Sequence, residues 1–251
     1  MDLIEDSEDT FCVVTPHDNI VFISAWHVLH LILRFIYFVG ELLLAFESYL
    51  ITNGFLTAYK NLNLDRVKYL GVIIDSDEAR QTSEVIELLE WLSAIGIKKL
   101  CLYDMEGVLK KSKGVFLEKF SSTNLSNEEL EGNSDFCKKQ MDFEFVSISD
   151  GKPVVAKAAN VLFNKYYLEE DTKKPFFTEA YLVDTLKTLG VVKPDPDLLL
   201  IYGQARCHFG FPPWRIRYTE LVHMGSLTHK KYGLILKAIH KYTKVKQNYG
   251  S

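Results

Sequence analysis

The chain has 251 residues, of which 47% are hydrophobic and 25% are charged, and its formal net charge is −4. This length suits one globular domain with a short appendage, and the acidic balance argues against a partner made of nucleic acid. The cysteines form no Cys-x-x-Cys pair and the histidines no His-Glu-x-x-His pattern, so no zinc site is predicted.

The N-terminal part is divided sharply by composition. Residues 1–19 are acidic, lack the features of a signal peptide and are expected to be a disordered tail. Residues 20–56 contain the most apolar stretch, which predicts a helix longer than the roughly 20 residues needed to cross a bilayer. Its polar residues recur on one helical stripe. They are His27, His30, Arg34, Glu41 and Ser48.

Three interpretations of this helix compete. A soluble core helix is hard to cover in a domain of this size. A surface-lying amphipathic helix fits the polar stripe. A membrane span fits the apolar length if Arg34 and Glu41 pair with each other or with a partner. We therefore predict a membrane-associated helix and leave spanning and interfacial positions open.

Residues 66–251 alternate strand and helix patterns, which predicts one α/β domain with a mostly parallel central sheet flanked by helices. Strands are predicted over four apolar runs, at residues 67–75, 98–104, 143–151 and 198–202. Helices are predicted at residues 83–97, 178–190 and 232–248. A polar, turn-rich surface loop is predicted over residues 121–142.

Two C-terminal motifs carry a family resemblance. Residues 197–204 (DLLLIYGQ) and 210–222 (GFPPWRIRYTELV) resemble the C-terminal third of the cis-prenyltransferases, most closely their non-catalytic, Nogo-B receptor-like and plant-type subunits. The resemblance extends over about residues 67–251 and implies the cis-prenyltransferase fold. Catalytic members carry two diphosphate-binding arginines at the positions of Ile201 and Cys207. Neutral side chains cannot form the charge-assisted bonds that hold a diphosphate, so the isolated chain is expected not to catalyse.

The end of the first strand resembles the family's substrate turn, D-G-N-x-R, whose aspartate holds magnesium. Here residues 75–79 read DSDEA, so Asp75 is kept while Ala79 replaces the arginine. Three carboxylates repel a diphosphate, which favours a solvated turn over a working site. Glu220 lies under the family's second magnesium-binding glutamate, although a bond to Arg217 is an equal alternative. The resemblance implies Mg²⁺ at Asp75 and Glu220, with the ion held mainly by a catalytic partner.

A second motif resembles a different enzyme class. Residues 103–108 (YDMEGV) are similar to the nucleophile motif of haloacid-dehalogenase-type phosphatases, with Asp104 as nucleophile and Glu106 as second acid. No downstream G-D-x-x-x-D pair follows. The same stretch lies under F-S-[ST]-E-N-W of the cis-prenyltransferases, which we prefer because the surrounding chain also matches.

The proline-rich motif predicts an interface. Two prolines make residues 209–213 a rigid turn, because each fixes φ and removes a backbone donor. Phe211, Pro212 and Trp214 are therefore predicted to contact a partner. Simple packing is the alternative for Trp214.

The last residues resemble the family's C-terminal R-x-G, which reaches into the active site of the other subunit. Asn248 replaces the arginine and keeps a donor amide, while Gly250 is matched. The resemblance implies a catalytic contribution by Asn248 and Gly250, and substrate binding by these two residues with Tyr249. Fraying is the alternative for any terminus.

The resemblance implies an accessory subunit of a heteromeric cis-prenyltransferase, the dehydrodolichyl diphosphate synthase complex. That complex condenses isopentenyl diphosphate with farnesyl diphosphate to long-chain polyprenyl diphosphate for dolichol synthesis and protein glycosylation. The expected partners are a catalytic cis-prenyltransferase subunit, membrane lipid and isoprenoid diphosphates bound through the complex, at the endoplasmic reticulum membrane with the domain facing the cytosol. Alternatives are a membrane receptor or scaffold with a dead prenyltransferase fold, and a phosphatase.

Overall fold

A computed structural model describes residues 16–59, 62–126, 141–165, 178–190 and 193–245. The chain divides into two compact units, Met1–Glu47 and Ser48–Ser251. The tail was predicted over residues 1–19, of which residues 1–15 lie outside the described residues.

The first unit consists of most of helix α1 (Pro16–Thr52). The predicted apolar helix is confirmed, but it begins at Pro16 rather than at residue 20, because proline is well accepted in the first turn of a helix. Its stretch Phe22–Thr52 contains an 18-residue window with a mean hydropathy of 1.9, and the stretch is long and apolar enough to cross a membrane. The helix ends before Gly54, whose φ of 71° is left-handed.

The second unit contains one five-stranded, fully parallel sheet in the order β3-β2-β1-β4-β5. The strands are β1 (Leu70–Ile74), β2 (Lys99–Tyr103), β3 (Asp142–Val146), β4 (Leu198–Tyr202) and β5 (Glu220–Gly225). The further helices are α2 (Ser76–Ala79), α3 (Thr82–Ile95), α4 (Val108–Lys111), α5 (Lys113–Ser126), α6 (Lys152–Phe163), α7 (Glu179–Thr188) and α8 (Tyr232–Lys244). The predicted α/β class with a parallel sheet is confirmed.

The main core lies on one face of the sheet, where alternate strand residues pack with α3, α5 and α8. The four positions of α3 at helical spacing are fully buried, as their periodicity predicts. They are Val85, Leu88, Leu89 and Leu92. The opposite face carries a second cluster that includes Ile73, Cys101 and Ile201. Burial raises the pKa of the Cys101 thiol to about 11, as expected of a core cysteine.

The second unit includes the last turn of α1, which packs against α8. Ser48 and Ile51 are buried, and the backbone N–H of Gly233 in α8 donates to Ser48 Oγ at 3.1 Å. A β-carbon at position 233 would lie 2.4 Å from the Ser48 carbonyl oxygen. Only glycine permits this approach, so Gly233 fixes where α8 crosses the end of α1.

Candidate functional site

Polar residues gather where the strands end. Asp75 follows β1, Asp104 follows β2, Ser147 follows β3 and Ser226 follows β5. In open parallel sheets, ligands bind beyond the carboxyl ends of the strands. This carboxyl edge is therefore the candidate site.

The predicted solvated turn after β1 is instead the short helix α2, and the chain itself uses its polar groups. Ser76 is buried and accepts a hydrogen bond of 3.1 Å from the Glu106 backbone N–H. Glu78 accepts hydrogen bonds from Ser226 Oγ and from Leu227 N, the latter at 2.9 Å. Asp77, by contrast, is largely exposed. The prediction of a solvated turn was therefore wrong for Ser76 and Glu78. Their hydrogen-bond partners lie far away in the sequence, so local patterns could not reveal them.

Asp104 is a structural cap. Its side chain is fully buried, and its two oxygens accept hydrogen bonds from Val108 N at 2.7 Å and Leu109 N at 3.0 Å. These are free backbone donors at the start of α4. Glu106, the predicted second acid, forms an ion pair with Arg80 at 2.8 Å. A nucleophile must reach its substrate, so this arrangement contradicts the phosphatase alternative.

The two predicted magnesium ligands do not meet. Asp75 stands beyond the carboxyl end of β1, whereas Glu220 opens β5 at the level of Leu198, the first residue of β4. The length of a five-residue strand, about 16 Å, separates these two levels. Within the parts of the chain that the structure describes, no three His, Cys, Asp or Glu side chains form a metal-binding group. The described residues therefore do not fit a magnesium site.

The alternative partner of Glu220 is also occupied. Arg217 contacts Glu179 at 3.5 Å. The backbone N–H of Glu220 donates to Asp197 O at 3.2 Å, which ties the start of β5 to the start of β4. Among the described residues, the ion pair of Arg217 is therefore with Glu179 and not with Glu220 as predicted.

The family's two arginine positions differ in their surroundings. Ile201 lies in β4, is only 5% exposed and packs in the second core cluster. Cys207 is exposed on the loop after β4. The first position is thus a core position here, and it offers no group that could hold an anion.

The buried Arg215, which the sequence analysis did not single out, serves the fold. It forms a bidentate pair with Glu144 of β3, at 3.0 and 2.9 Å, and donates to the Pro194 carbonyl at 3.0 Å. Burial lowers the pKa of Arg215, but the hydrogen bonds to Glu144 and the negative charges around the guanidinium, which include Glu144 and Asp195, together raise it above its ordinary value. This arginine is therefore a fixed structural cation, joining strand β3 to the loop before β5. Its only signal in the sequence is its place beside the proline-rich turn.

The three predicted interface residues differ in how deeply they are buried. Phe211 is fully buried and packs edge to face on Tyr103 with 5.2 Å between ring centroids, and Pro212 is buried as well. The interface prediction is corrected for both, because Gly210, with a φ of 80°, turns the chain back over the sheet. Trp214 remains half-buried.

Two exposed apolar side chains follow Trp214 in the chain. Tyr218 is 52% exposed, and Leu221 of the edge strand β5 is 46% exposed. The predicted tail residues Asn248, Tyr249 and Gly250 lie outside the described residues, so the structure gives no geometry for the proposed trans-acting tail.

Comparison with known proteins finds related proteins, but no family model matches the chain. The chain is 26% identical over 200 residues to the "Dehydrodolichyl diphosphate synthase complex subunit NUS1" of Homo sapiens, a match covering 72% of this chain and 66% of that protein. It is 25% identical over 202 residues to the subunit of the same name from Saccharomyces cerevisiae, covering 67% and 53%. The chain thus spans less than two thirds of the length of either relative. The resemblance drawn from the motifs is confirmed by these relatives.

A solved structure also aligns with the chain. It is described as a "probable undecaprenyl diphosphate synthase" from Campylobacter jejuni, with 17% identity, 73% of this chain and 98% of that chain covered, and a TM-score of 0.49.

Proposed function

We propose that this chain is an accessory subunit of a heteromeric cis-prenyltransferase of the dehydrodolichyl diphosphate synthase type. The observation that carries the proposal is the state of the carboxyl edge, where Glu78 and Asp104 are held by the chain's own donors. Carboxylates held in this way are not available to a metal or a substrate, and the three positions where catalytic members carry diphosphate-binding arginines hold Ala79, Ile201 and Cys207. The similarity to NUS1 subunits supports the same conclusion.

In this proposal the catalytic partner binds farnesyl diphosphate and isopentenyl diphosphate, and joins them into a long-chain polyprenyl diphosphate. Mg²⁺ belongs to the partner and supplies neutralisation of the leaving diphosphate there. The present chain contributes its tail. Gly250 lets the backbone approach a diphosphate closely and present its N–H groups, and Asn248 adds a neutral donor. The contribution is positioning of substrate rather than bond making.

The apolar surface of Trp214, Tyr218 and Leu221 is proposed as part of the contact with the partner. It lies on and beside an edge strand, where a second chain can cover both exposed side chains and unpaired backbone groups. α1 is proposed to anchor the complex in the endoplasmic reticulum membrane with the domain in the cytosol, since Phe22–Thr52 has the length and hydropathy of a span.

The decisive experiment measures incorporation of labelled isopentenyl diphosphate into farnesyl diphosphate. We expect no elongation by the purified chain and strong elongation after co-expression with a catalytic cis-prenyltransferase subunit, above the level of that subunit alone. Leu221→Glu should reduce co-purification of the partner, whereas Leu189→Glu, at an exposed position after α7, should not. Elongation by the chain alone would refute the proposal. Co-purification without any change in turnover would instead favour the scaffold alternative.

A further inference from the structure

The crevice in which an open parallel sheet binds its ligands is already filled by the chain itself. The sheet winds in opposite directions from β1 and β4, because β1 leads to β2 on one side while β4 leads to β5 on the other. Ligands bind at such a switch point, beyond the carboxyl ends of the two strands. Asp75 follows β1 and Gly203 follows β4, and the ring of Phe209 lies at this point.

Gly203 shows how closely the ring approaches the strand ends. Its φ of 146° is one that residues with a side chain rarely adopt. A β-carbon at position 203 would lie 2.8 Å from Cζ of Phe209 and 3.1 Å from Cβ of Asp75. Any side chain at this position would therefore displace the ring. The ring takes up the space beyond β4, beside Asp75, in which a ligand of the sheet would otherwise lie.

The surroundings of the ring define what could replace it. Phe209 packs against the second core cluster, to which Ile73 of β1 and Ile201 of β4 belong. Withdrawal of the ring would therefore expose an apolar surface. Asp75 is half-buried beside this surface, and its carboxylate makes no capping hydrogen bond to α2. An apolar surface next to a carboxylate suits a small aromatic cation and disfavours an anion.

The backbone of Phe209 is strained in the conformation that places the ring. Among the described residues, Phe209 is the only non-glycine residue with a positive φ, at 47°. Such a conformation persists only where surrounding contacts hold it, and it is concentrated at functional sites. The hydroxyl of Tyr103 in β2 donates to the Phe209 carbonyl at 2.8 Å. Burial raises the pKa of Tyr103 to about 12, so this hydroxyl remains a donor at neutral pH.

We infer that Phe209 is an internal occupant of the ligand crevice between β1 and β4, and that this crevice accepts a small aromatic cation when the ring is withdrawn. The contact is autoinhibitory, because the strained loop keeps the crevice filled. It acts by steric exclusion and is separate from the hydrogen bonds that hold Glu78 and Asp104. The inference concerns this chain alone and does not rest on the proposed enzyme complex.

Stabilisation by a small ligand tests the inference. A ligand that binds only the folded state raises the melting temperature, so thermal melts of the full chain in detergent solution report on the crevice. Benzylamine, whose amine is protonated at neutral pH, should raise the melting temperature of Phe209→Ala by about 3 °C or more at roughly ten times its Kd. The parent chain should not respond. Neither should Phe55→Ala, which removes an exposed ring elsewhere.

Benzoate tests the charge preference of the crevice, because it carries the same ring with the opposite charge. It should stabilise Phe209→Ala less than benzylamine does. Addition of Asp75→Asn should remove this difference, since the amide keeps the shape of the carboxylate without its charge. Equal responses to the two probes while Asp75 is present would refute the assignment of a cation.

Two further variants make the test independent of the stability of Phe209→Ala. Phe209→Gly opens the same crevice and is compatible with the left-handed backbone, so it should also respond to benzylamine. Tyr103→Phe keeps both rings but removes the bond to the Phe209 carbonyl, so benzylamine should stabilise it where the parent does not respond. If benzylamine stabilises none of the three variants, Phe209 is ordinary core packing and the inference is refuted. An equal response of the parent would show that the ring does not fill the crevice, and would refute it as well.

Discussion

The backbone N–H of Leu227 donates a hydrogen bond of 2.9 Å to the carboxylate of Glu78, which ties the turn after β5 to the helix after β1. The two residues come from elements separated by β4 in the sheet. The bond therefore joins two parts of the carboxyl edge across β4.

Replacing Glu78 tests this closure. Glu78→Gln places an amide where the Leu227 N–H and the Ser226 hydroxyl both need acceptors, so it should lower the free energy of unfolding by about 1–2 kcal/mol. Urea denaturation measures the change. Asp77→Asn is the matched control, because Asp77 is exposed and should differ from the parent by no more than about 0.5 kcal/mol. Equal effects of the two substitutions would show that Glu78 does not hold the edge together.

The family's two arginine positions should respond differently when arginine is restored. Ile201→Arg buries a charge among Ile73, Leu199 and Phe211, and should cost about 3 kcal/mol or more of stability. Cys207→Arg adds an exposed charge and should leave the melting temperature nearly unchanged. Neither variant should elongate farnesyl diphosphate alone. A stable Ile201→Arg chain with prenyltransferase activity would show that the missing arginine alone accounts for the lack of activity.

Removal of Arg215 should be among the most damaging single changes. Arg215→Met leaves the carboxylate of Glu144 without its bidentate partner in a largely buried position, and should cost about 3–5 kcal/mol. Arg215→Lys should recover only part of this loss, because an ammonium cannot reproduce the planar fork. Arg217→Met, at an exposed pair, should change stability by less than about 1 kcal/mol. Thermal melts of the three variants would rank them, and a mild effect of Arg215→Met would contradict the structural role.

The ionisation of Asp150 should make the free energy of unfolding depend on pH. Burial raises the pKa of Asp150, but hydrogen bonds from Lys110 and Ser147 outweigh it, so the pKa is lowered below its ordinary value of 3.8. A depressed carboxyl pKa gives stability that is present above the unfolded value and lost as pH falls through the folded value. Asp150→Asn should therefore reduce the difference in unfolding free energy between pH 6 and pH 3. The Asp150 carboxylate accepts from Ser147 in a capping box, and an unchanged pH profile would mean that protonation of Asp150 does not disturb this arrangement.

The tail prediction concerns the assembled enzyme. Gly250→Ala, or deletion of residues 249–251, should lower the turnover of the complex and raise its KM for isopentenyl diphosphate while the partner still co-purifies. Asn248→Arg should be tolerated, since it restores the residue common in the family. Steady-state assays on purified complexes check both results. Unchanged kinetics after the deletion would leave this chain with anchoring and folding support as its only contributions.

Local patterns predict the parts of this fold that depend on neighbours in sequence. The four buried positions of α3 follow from helical spacing, and the central strands follow from continuous apolar runs. Helix α6 and edge strand β5 were not predicted from the sequence. The pattern of α6 is interrupted by lysines and an asparagine, and β5 is half-exposed. Part of the predicted 121–142 loop is helical, since α5 extends to Ser126, and residues 127–140 lie outside the described residues.

The candidate site is harder to predict because its state depends on distant partners. Asp75, Glu78 and Asp104 are visible as strand-end carboxylates in the sequence. Whether they face a ligand or the chain's own backbone is decided by contacts such as that between Glu78 and Leu227, which are 149 residues apart. The pairing of Arg215 with Glu144 is equally non-local.

β1 lies at the centre of the sheet, and its two neighbouring strands are made at different times during synthesis. β1 gains β2 as a neighbour early, but its other neighbour, β4, is made only after β3, α6 and α7. Until then one side of β1 keeps its backbone groups unpaired, and apolar residues such as Val72 lack the cover supplied later by α8. Pairing between such distant segments is slow. Until β4 pairs with β1, the unpaired edge of β1 can bind other chains. α1 precedes all five strands, so if α1 attaches to a membrane as proposed, a newly made chain is held at the membrane surface, apart from other unfinished copies, throughout that interval.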